Sequence, residues 1–167
     1  MRSEASGSLD VSLAGGTPRA GASTGTKSMS VRSFFDTNIL IYTDDQAFPA
    51  KQERALEVIE QHRRDRTGVV SLQVLQEYFA SVTRKLHIDA SIARSKVEIF
   101  AEFDVAAPDV SDVLAAIDLH RLHQLSFWDA LIVRMASQSG CKVLFSEDLQ
   151  NARDIEGVRV VNPFTSA

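Results

Sequence analysis

The chain predicts an α/β domain with a mainly parallel central sheet and helices on both of its faces. Three observations carry that reading. Short apolar runs at Val31–Phe35, Gly68–Val70, Lys142–Phe145 and Val158–Val161 have the length of strands buried on both sides. The segments between them place apolar residues at helical spacing and begin at capping residues. The resulting order of strand, helix, strand, several helices, strand is the alternation that builds parallel sheets.

Each element has a local reason. Val31 to Phe35 is a strand that closes on Asp36, and Asp36-Thr37-Asn38 is turn chemistry before the apolar Ile39 to Tyr42. Pro49 suits a first helical turn, and Ala55, Leu56 and Ile59 give the helix from Ala50 to His62 its apolar stripe. Arg63 to Arg66 is a charged break before the strand Gly68 to Val70. Ser71 caps a helix to about Lys85, with Leu72, Leu75, Tyr78 or Phe79 and Val82 along one face. Asp89 caps the next, to about Phe103, with Ile92, the Lys96 stem, Ile99 and Phe103 in register. Asp104 to Ala107 is a short strand, and Pro108-Asp109 opens a helix to about Leu122. Ser126 caps the helix Phe127 to Ser139, which Gly140 ends. Two strands follow, Lys142 to Phe145 and Val158 to Val161. The chain contains no internal repeat.

Composition limits what the domain can be. At 167 residues there is room for one core. The net charge of −4 excludes a uniformly basic nucleic-acid coat protein. A single cysteine, Cys141, excludes an intrachain disulfide framework and a cysteine zinc cluster, and it reads as a small core residue. The longest apolar runs are far too short for a membrane helix. Residues 1–30 hold 5 of the 8 glycines, 7 serines and 3 threonines, with no aromatic residue. Such a segment is expected to be a disordered leader without the apolar stretch of a secretory signal, and Met29 is a plausible translation start. The folded domain is then 31–167, with 15 basic and 20 acidic residues.

In open α/β sheets ligands bind beyond the carboxyl ends of the parallel strands. Asp36 follows the first strand and Ser146-Glu147-Asp148 follows the strand ending at Phe145. Asp129 lies in the first turn of its helix, and Glu77 in the second turn of the helix after Gly68 to Val70. All four acids are therefore expected to project toward one rim of the sheet. Each also has a structural reading: Asp36 as an Asx turn, Asp148 as a loop or cap residue, Asp129 as a helix-dipole acid, Glu77 on a solvated face. Together they repel. Two carboxylates at 4 Å cost ~4 kcal/mol at an effective dielectric of 20, so a shared cleft calls for a cation. All-oxygen donors suit Mg²⁺ or Mn²⁺, and a carboxylate-held ion of that kind supports phosphodiester hydrolysis by water.

The segments FFDTNILIY at 34–42, VVSLQVLQEYF at 69–79, LSFWDALIV at 125–133, VLFSEDLQ at 143–150 and VRVVNPF at 158–164 together resemble the PIN domain, and within it the VapC-like toxins of bacterial toxin–antitoxin pairs. The resemblance spans nearly all of 31–167. It implies an α/β/α sandwich and a Mg²⁺- or Mn²⁺-dependent endoribonuclease that acts on RNA in the cytoplasm. It also implies a homodimer, held inactive by a cognate antitoxin. The family's four acids fall on Asp36, Glu77, Asp129 and Asp148, with Asp36, Asp129 and Asp148 as metal ligands. Thr37, Asn38, Ser126 and Ser146 fall on supporting positions, and Glu147 is placed as a substitute outer ligand.

Two other function classes fit parts of the sequence. An aspartyl-phosphate phosphatase also places an Asp after its first strand, but it needs an acid two positions on, where this chain has Asn38. A non-catalytic RNA- or protein-binding module with a vestigial acidic rim is the other. Trp128 beside Asp129 reads as a base-stacking residue or, from its neighbours Phe127 and Leu131, as a core or interface aromatic. Arg134 lies too far round its helix to be placed at the acids.

Overall fold

The computed structural model describes residues 31–165. The leader expected at 1–30, with its Met29 start, lies outside the described residues. In chain order the elements are β1 (Ser33–Phe35), α1 (Thr37–Tyr42), α2 (Pro49–Asp65), β2 (Gly68–Ser71), α3 (Leu72–Lys85), α4 (Ala90–Phe100), β3 (Asp104–Ala106), α5 (Val110–His123), α6 (Phe127–Gln138), β4 (Val143–Phe145), β5 (Asp154–Ile155) and β6 (Val158–Val161).

The strands form one sheet in the order β3-β2-β1-β4-β6-β5, parallel throughout except for the terminal β5–β6 pair. From β1 the chain steps outward through β2 to β3, then returns across the sheet to β4 on the other side of β1. Right-handed crossovers in opposite directions put the intervening helices on opposite faces. Helices α2 and α3 accordingly pack on β2 from the first set of connections, and α6 meets β2, β4 and β6 from the return connection. Every residue of β1 and β2 is buried as a result, which is why both read as unbroken apolar runs. The core gathers Phe34, Phe35, Ile39, Leu40, Tyr78, Met135 and Leu144, all essentially inaccessible. Gly68 admits the ring of Phe103, since a Cβ there would lie 2.6 Å from two ring carbons.

Several local expectations are corrected. The Asp36-Thr37-Asn38 turn is the start of a helix: Asp36 is the N-cap of α1, in extended backbone, and its side chain accepts from the Thr37 N–H. The charged run Arg63 to Asp65 continues α2, because His62, Arg63 and Arg64 complement the carbonyl end of the helix; the break comes at Arg66, which is left-handed at φ 54°. In α2 and α3 most of the expected apolar stripe is buried, with Ala55, Ile59, Leu75, Tyr78 and Val82 inside, and in α4 the stripe is rotated from the expected one. Leu56, Leu72, Phe79, Ile92 and Ile99 are exposed, while Val58, Val74, Ala93 and Phe100 take the inner positions. These helices carry apolar residues on more than one face, so spacing alone does not choose the buried one. The β5–β6 hairpin was not expected from the sequence. Its turn residues Glu156 and Gly157 both have positive φ, 53° and 75°, as a two-residue hairpin turn requires.

Candidate active site

The strand order reverses between β1 and β4, so the crevice beyond their carboxyl ends is where the fold leaves room for a ligand. The register fixes what stands there. Phe35 is opposite Phe145, and the Asp36 N–H donates to the Phe145 carbonyl at 3.0 Å. The next residue of each strand, Asp36 and Ser146, therefore meet. Ser146 Oγ donates to Asp36 Oδ2 at 2.6 Å, the Thr37 N–H donates to Asp36 Oδ1 at 2.6 Å, and Asn38 Nδ2 donates to Asp36 Oδ2 at 3.0 Å. Asn38 also spans to the second strand end: Nδ2 donates to Asp148 Oδ2 at 3.1 Å, and Oδ1 accepts from the Glu147 N–H at 3.2 Å.

The other two acids arrive on helices. Ser71 caps α3 at the end of β2, and the second turn delivers Glu77. Thr37 Oγ1 donates to Glu77 Oε2 at 2.7 Å and Gln73 Nε2 to Oε1 at 2.8 Å. Ser126 caps α6 by accepting from the Asp129 N–H at 3.1 Å, and its hydroxyl donates to Asp129 Oδ2 at 2.7 Å. Asp36, Glu77, Asp129 and Asp148 line one cleft of about 470 Å³, together with Thr37 and Asn38. All four acids expected from the sequence are thus brought to one place, and all four supporting residues hold an acid or its strand end.

The electrostatics of the cleft are unbalanced. Asp36 is 5% exposed. Burial pushes its carboxyl up from 3.8 to about 6; the Ser146 and Thr37 hydrogen bonds oppose this, and the Asp148 and Asp129 charges add to it. No ion pair among the described residues involves any of the four acids. Neutral hydroxyl and amide donors orient each acid, and none of these contacts brings a positive charge to the four carboxylates.

Among the described residues, no three His, Cys, Asp or Glu side chains lie close enough to form a ready-made metal cage. That still suits a hydrated hard cation, which keeps several waters and takes only one or two protein carboxylates. The donor set is all oxygen, and Gln73 Oε1, also in the cleft, is a buried acceptor without a partner. An acceptor in that position fits a bound water's O–H. The oxygen donor set to which Asp36, Asp129 and Asp148 belong therefore has the donor chemistry of a hydrated divalent ion of the Mg²⁺ or Mn²⁺ type.

The PIN domain family model matches residues 33–156. The chain belongs to the PIN domain family. Three solved structures share its fold. A toxin–antitoxin complex from Klebsiella pneumoniae superposes with a TM-score of 0.58 at 20% identity, covering 79% of this chain and 98% of that one. DNA-bound VapBC from Salmonella typhimurium gives 0.56 at 20% identity, covering 78% and 96%. VapC20 from Mycobacterium tuberculosis, a sarcin–ricin loop cleaving toxin, gives 0.53 at 17% identity, covering 70% and 91%. No curated protein matches this chain in sequence. At these identities the structural likeness is one of fold.

The PIN domain also uses residues that the sequence did not mark. Glu147, expected as a substitute outer ligand, is instead engaged by Lys51, and Tyr42 donates to its Oε2 at 2.5 Å. Lys51 sits 4.6 Å from the Tyr42 ring centroid, so Glu147 lines the cleft as an acid already paired with an ammonium, unlike Asp148. Nothing local signals a contact across 96 residues. Gln73 had a signal, being four residues before Glu77 on one helix. Arg134 is absent from the cleft, as expected, because it pairs with Asp112, a 1% exposed acid that nothing in its local sequence marks as buried. No helix among the described residues is long and apolar enough to cross a membrane.

Proposed function

We propose that this PIN domain is a Mg²⁺- or Mn²⁺-dependent endoribonuclease. In this reading it is the toxin of a toxin–antitoxin pair, acting on RNA in the cytoplasm as a homodimer and silenced by a cognate antitoxin protein. The observation that carries the catalytic part is the convergence of four acids, without a cationic partner, on the crevice where the sheet reverses direction. The toxin and antitoxin part is supported by the fold shared with the Klebsiella and Salmonella complexes, and RNA as substrate by the fold shared with VapC20.

Asp36, Asp129 and Asp148 would hold the ion, and Glu77 completes the acid set. A divalent ion bound there supplies Lewis-acid polarisation of a phosphate oxygen and lowers the pKa of a bound water. The chain's own contribution is orientation. Ser146, Asn38 and the Thr37 N–H fix both oxygens of Asp36. Thr37 and Gln73 fix Glu77, and Ser126 fixes one oxygen of Asp129. Such fixed carboxylates accept the proton of an attacking water without first reorganising. Asn38, an amide that donates to Asp36, cannot transfer the proton a phosphatase would need at that position.

Purified protein incubated with total RNA and Mg²⁺ is expected to generate discrete new ends. Asp129→Asn is expected to lower that cleavage by at least about 100-fold while the thermal melt persists. EDTA is expected to abolish it. Undiminished cleavage by Asp129→Asn, or cleavage indifferent to EDTA, would reject this reading.

A further inference from the structure

The acid cleft has an aromatic wall that the mechanism leaves unused. Trp128 lines the cleft beside Asp129 and is 59% exposed. Its neighbours allow a core position, yet α6 fills the core with Ala130, Leu131, Ile132 and Val133 instead. Phe127 is the half-buried ring, packed on the core. It meets Trp128 edge-on, with centroids 5.1 Å apart and planes at 67°, so the indole is braced by a fixed neighbour. Lys85, at the end of α3, lines the same cleft.

The charge balance decides what such a wall is good for. Residues 31–167 carry five more acidic than basic side chains, and the cleft itself is acidic. A polyanion gains little from the long-range field of this domain. Stacking of a base on an aromatic ring is insensitive to that field and works with any base, because every base has a π-face.

We propose that Trp128 is a stacking platform for an unpaired base next to the phosphate held at the acids, with Lys85 available to the flanking backbone. This rests on the RNA-cleavage reading and adds to it a substrate-positioning residue outside the acid set. A base inside a duplex has both faces covered by its neighbours and cannot use the platform.

Trp128 is the one tryptophan of the chain, so indole emission, excited where the two tyrosines do not absorb, reports this site alone. The full chain carrying Asp36→Asn, which prevents cleavage, is titrated with a short single-stranded RNA of randomised sequence. An abasic ribose–phosphate chain of equal length serves as control. Binding is followed in parallel by polarisation of an end label. The expected result is quenching by the RNA and none by the abasic chain. In Trp128→Ala the affinity is expected to fall about tenfold or more. Trp128→Phe, which keeps a ring, should retain most of it, and both variants should melt like the parent. Polarisation-detected binding without an emission change overturns the stacking proposal and leaves the nuclease reading intact. So does affinity unchanged in Trp128→Ala. Absence of any RNA binding, together with absence of cleavage by the unmodified protein, overturns both. An emission change that follows protein concentration without RNA assigns the ring to an interface between copies and overturns the proposal.

Discussion

Replacing Asp36 by Asn is expected to remove activity and, in the absence of metal, to stabilise the fold. The carboxyl is raised from 3.8 to about 6, chiefly by burial. Above pH 6 the ionised side chain is therefore less favourable folded than unfolded by about 3 kcal/mol. The folded state binds this proton more tightly than the unfolded state does. Stability contributed by the group thus falls as pH rises from about 4 to about 6 and is level above that. Asparagine carries no charge and removes the penalty. It keeps an acceptor for the Thr37 N–H, but replaces by an amide nitrogen the oxygen that accepts from both Asn38 Nδ2 and Ser146 Oγ, which costs about 2 kcal/mol for the two. The net expectation is a gain of about 1 kcal/mol at pH 7.5, or roughly 2–4 °C in Tm for a chain of this size. Near pH 4 the folded carboxyl is protonated and the unfolded one only about half ionised, so the penalty is nearly gone and the variant should be no more stable than the parent. Circular dichroism melts of parent and variant in EDTA, from pH 4 to 8, give the difference directly, because all other titrating groups are common to both. Adding Mg²⁺ should then raise the parent's Tm and leave that of the variant unchanged. A variant destabilised by the same margin at both ends of the pH range would refute the claim that Asp36 is a strained, uncompensated anion.

Two further substitutions test the support of the site and of its helix. Ser146→Ala removes a fully buried hydroxyl that holds Asp36 Oδ2 and accepts from the Leu149 N–H. It should cost about 1–2 kcal/mol in a melt and move the acid limb of the cleavage pH profile to higher pH, because a contact that favours the ionised carboxylate is lost. Arg134→Leu leaves Asp112 buried without its charge partner and should cost about 3 kcal/mol or more, seen as a Tm fall on the order of 10 °C. Adding Asp112→Asn, which removes the charge and keeps the acceptor for the Asp109 N–H, should restore most of that loss.

The sequence by itself determined the parallel α/β frame and the identity of the four acids. The reason is that both depend on local rules. Strands buried on two faces are written as unbroken apolar runs, as Phe34-Phe35 and Val69-Val70 show. Helix caps such as Ser71, Asp109 and Ser126 are written beside the turns they close. An acid one residue beyond a strand, or in the first turns of the following helix, is then bound to the ligand-facing rim by connectivity alone.

Tertiary structure decided what each side chain is free to do. Glu147 and Asp148 are adjacent acids that both line the cleft, yet Lys51 pairs with the first and leaves the second without an ion pair, and that choice depends on packing α2 against a turn 96 residues away. Trp128 and Phe127 are adjacent aromatics, and only the direction in which α6 meets the sheet sends one to the core and the other to the solvent beside Asp129. Asp112 looks like one more first-turn acid until α6 brings Arg134 over it. Asp36 acquires its raised pKa only when two parallel strands, a helix start and two other acids close around it. Burial and long-range pairing belong to the assembled fold, and no window of neighbouring residues contains them.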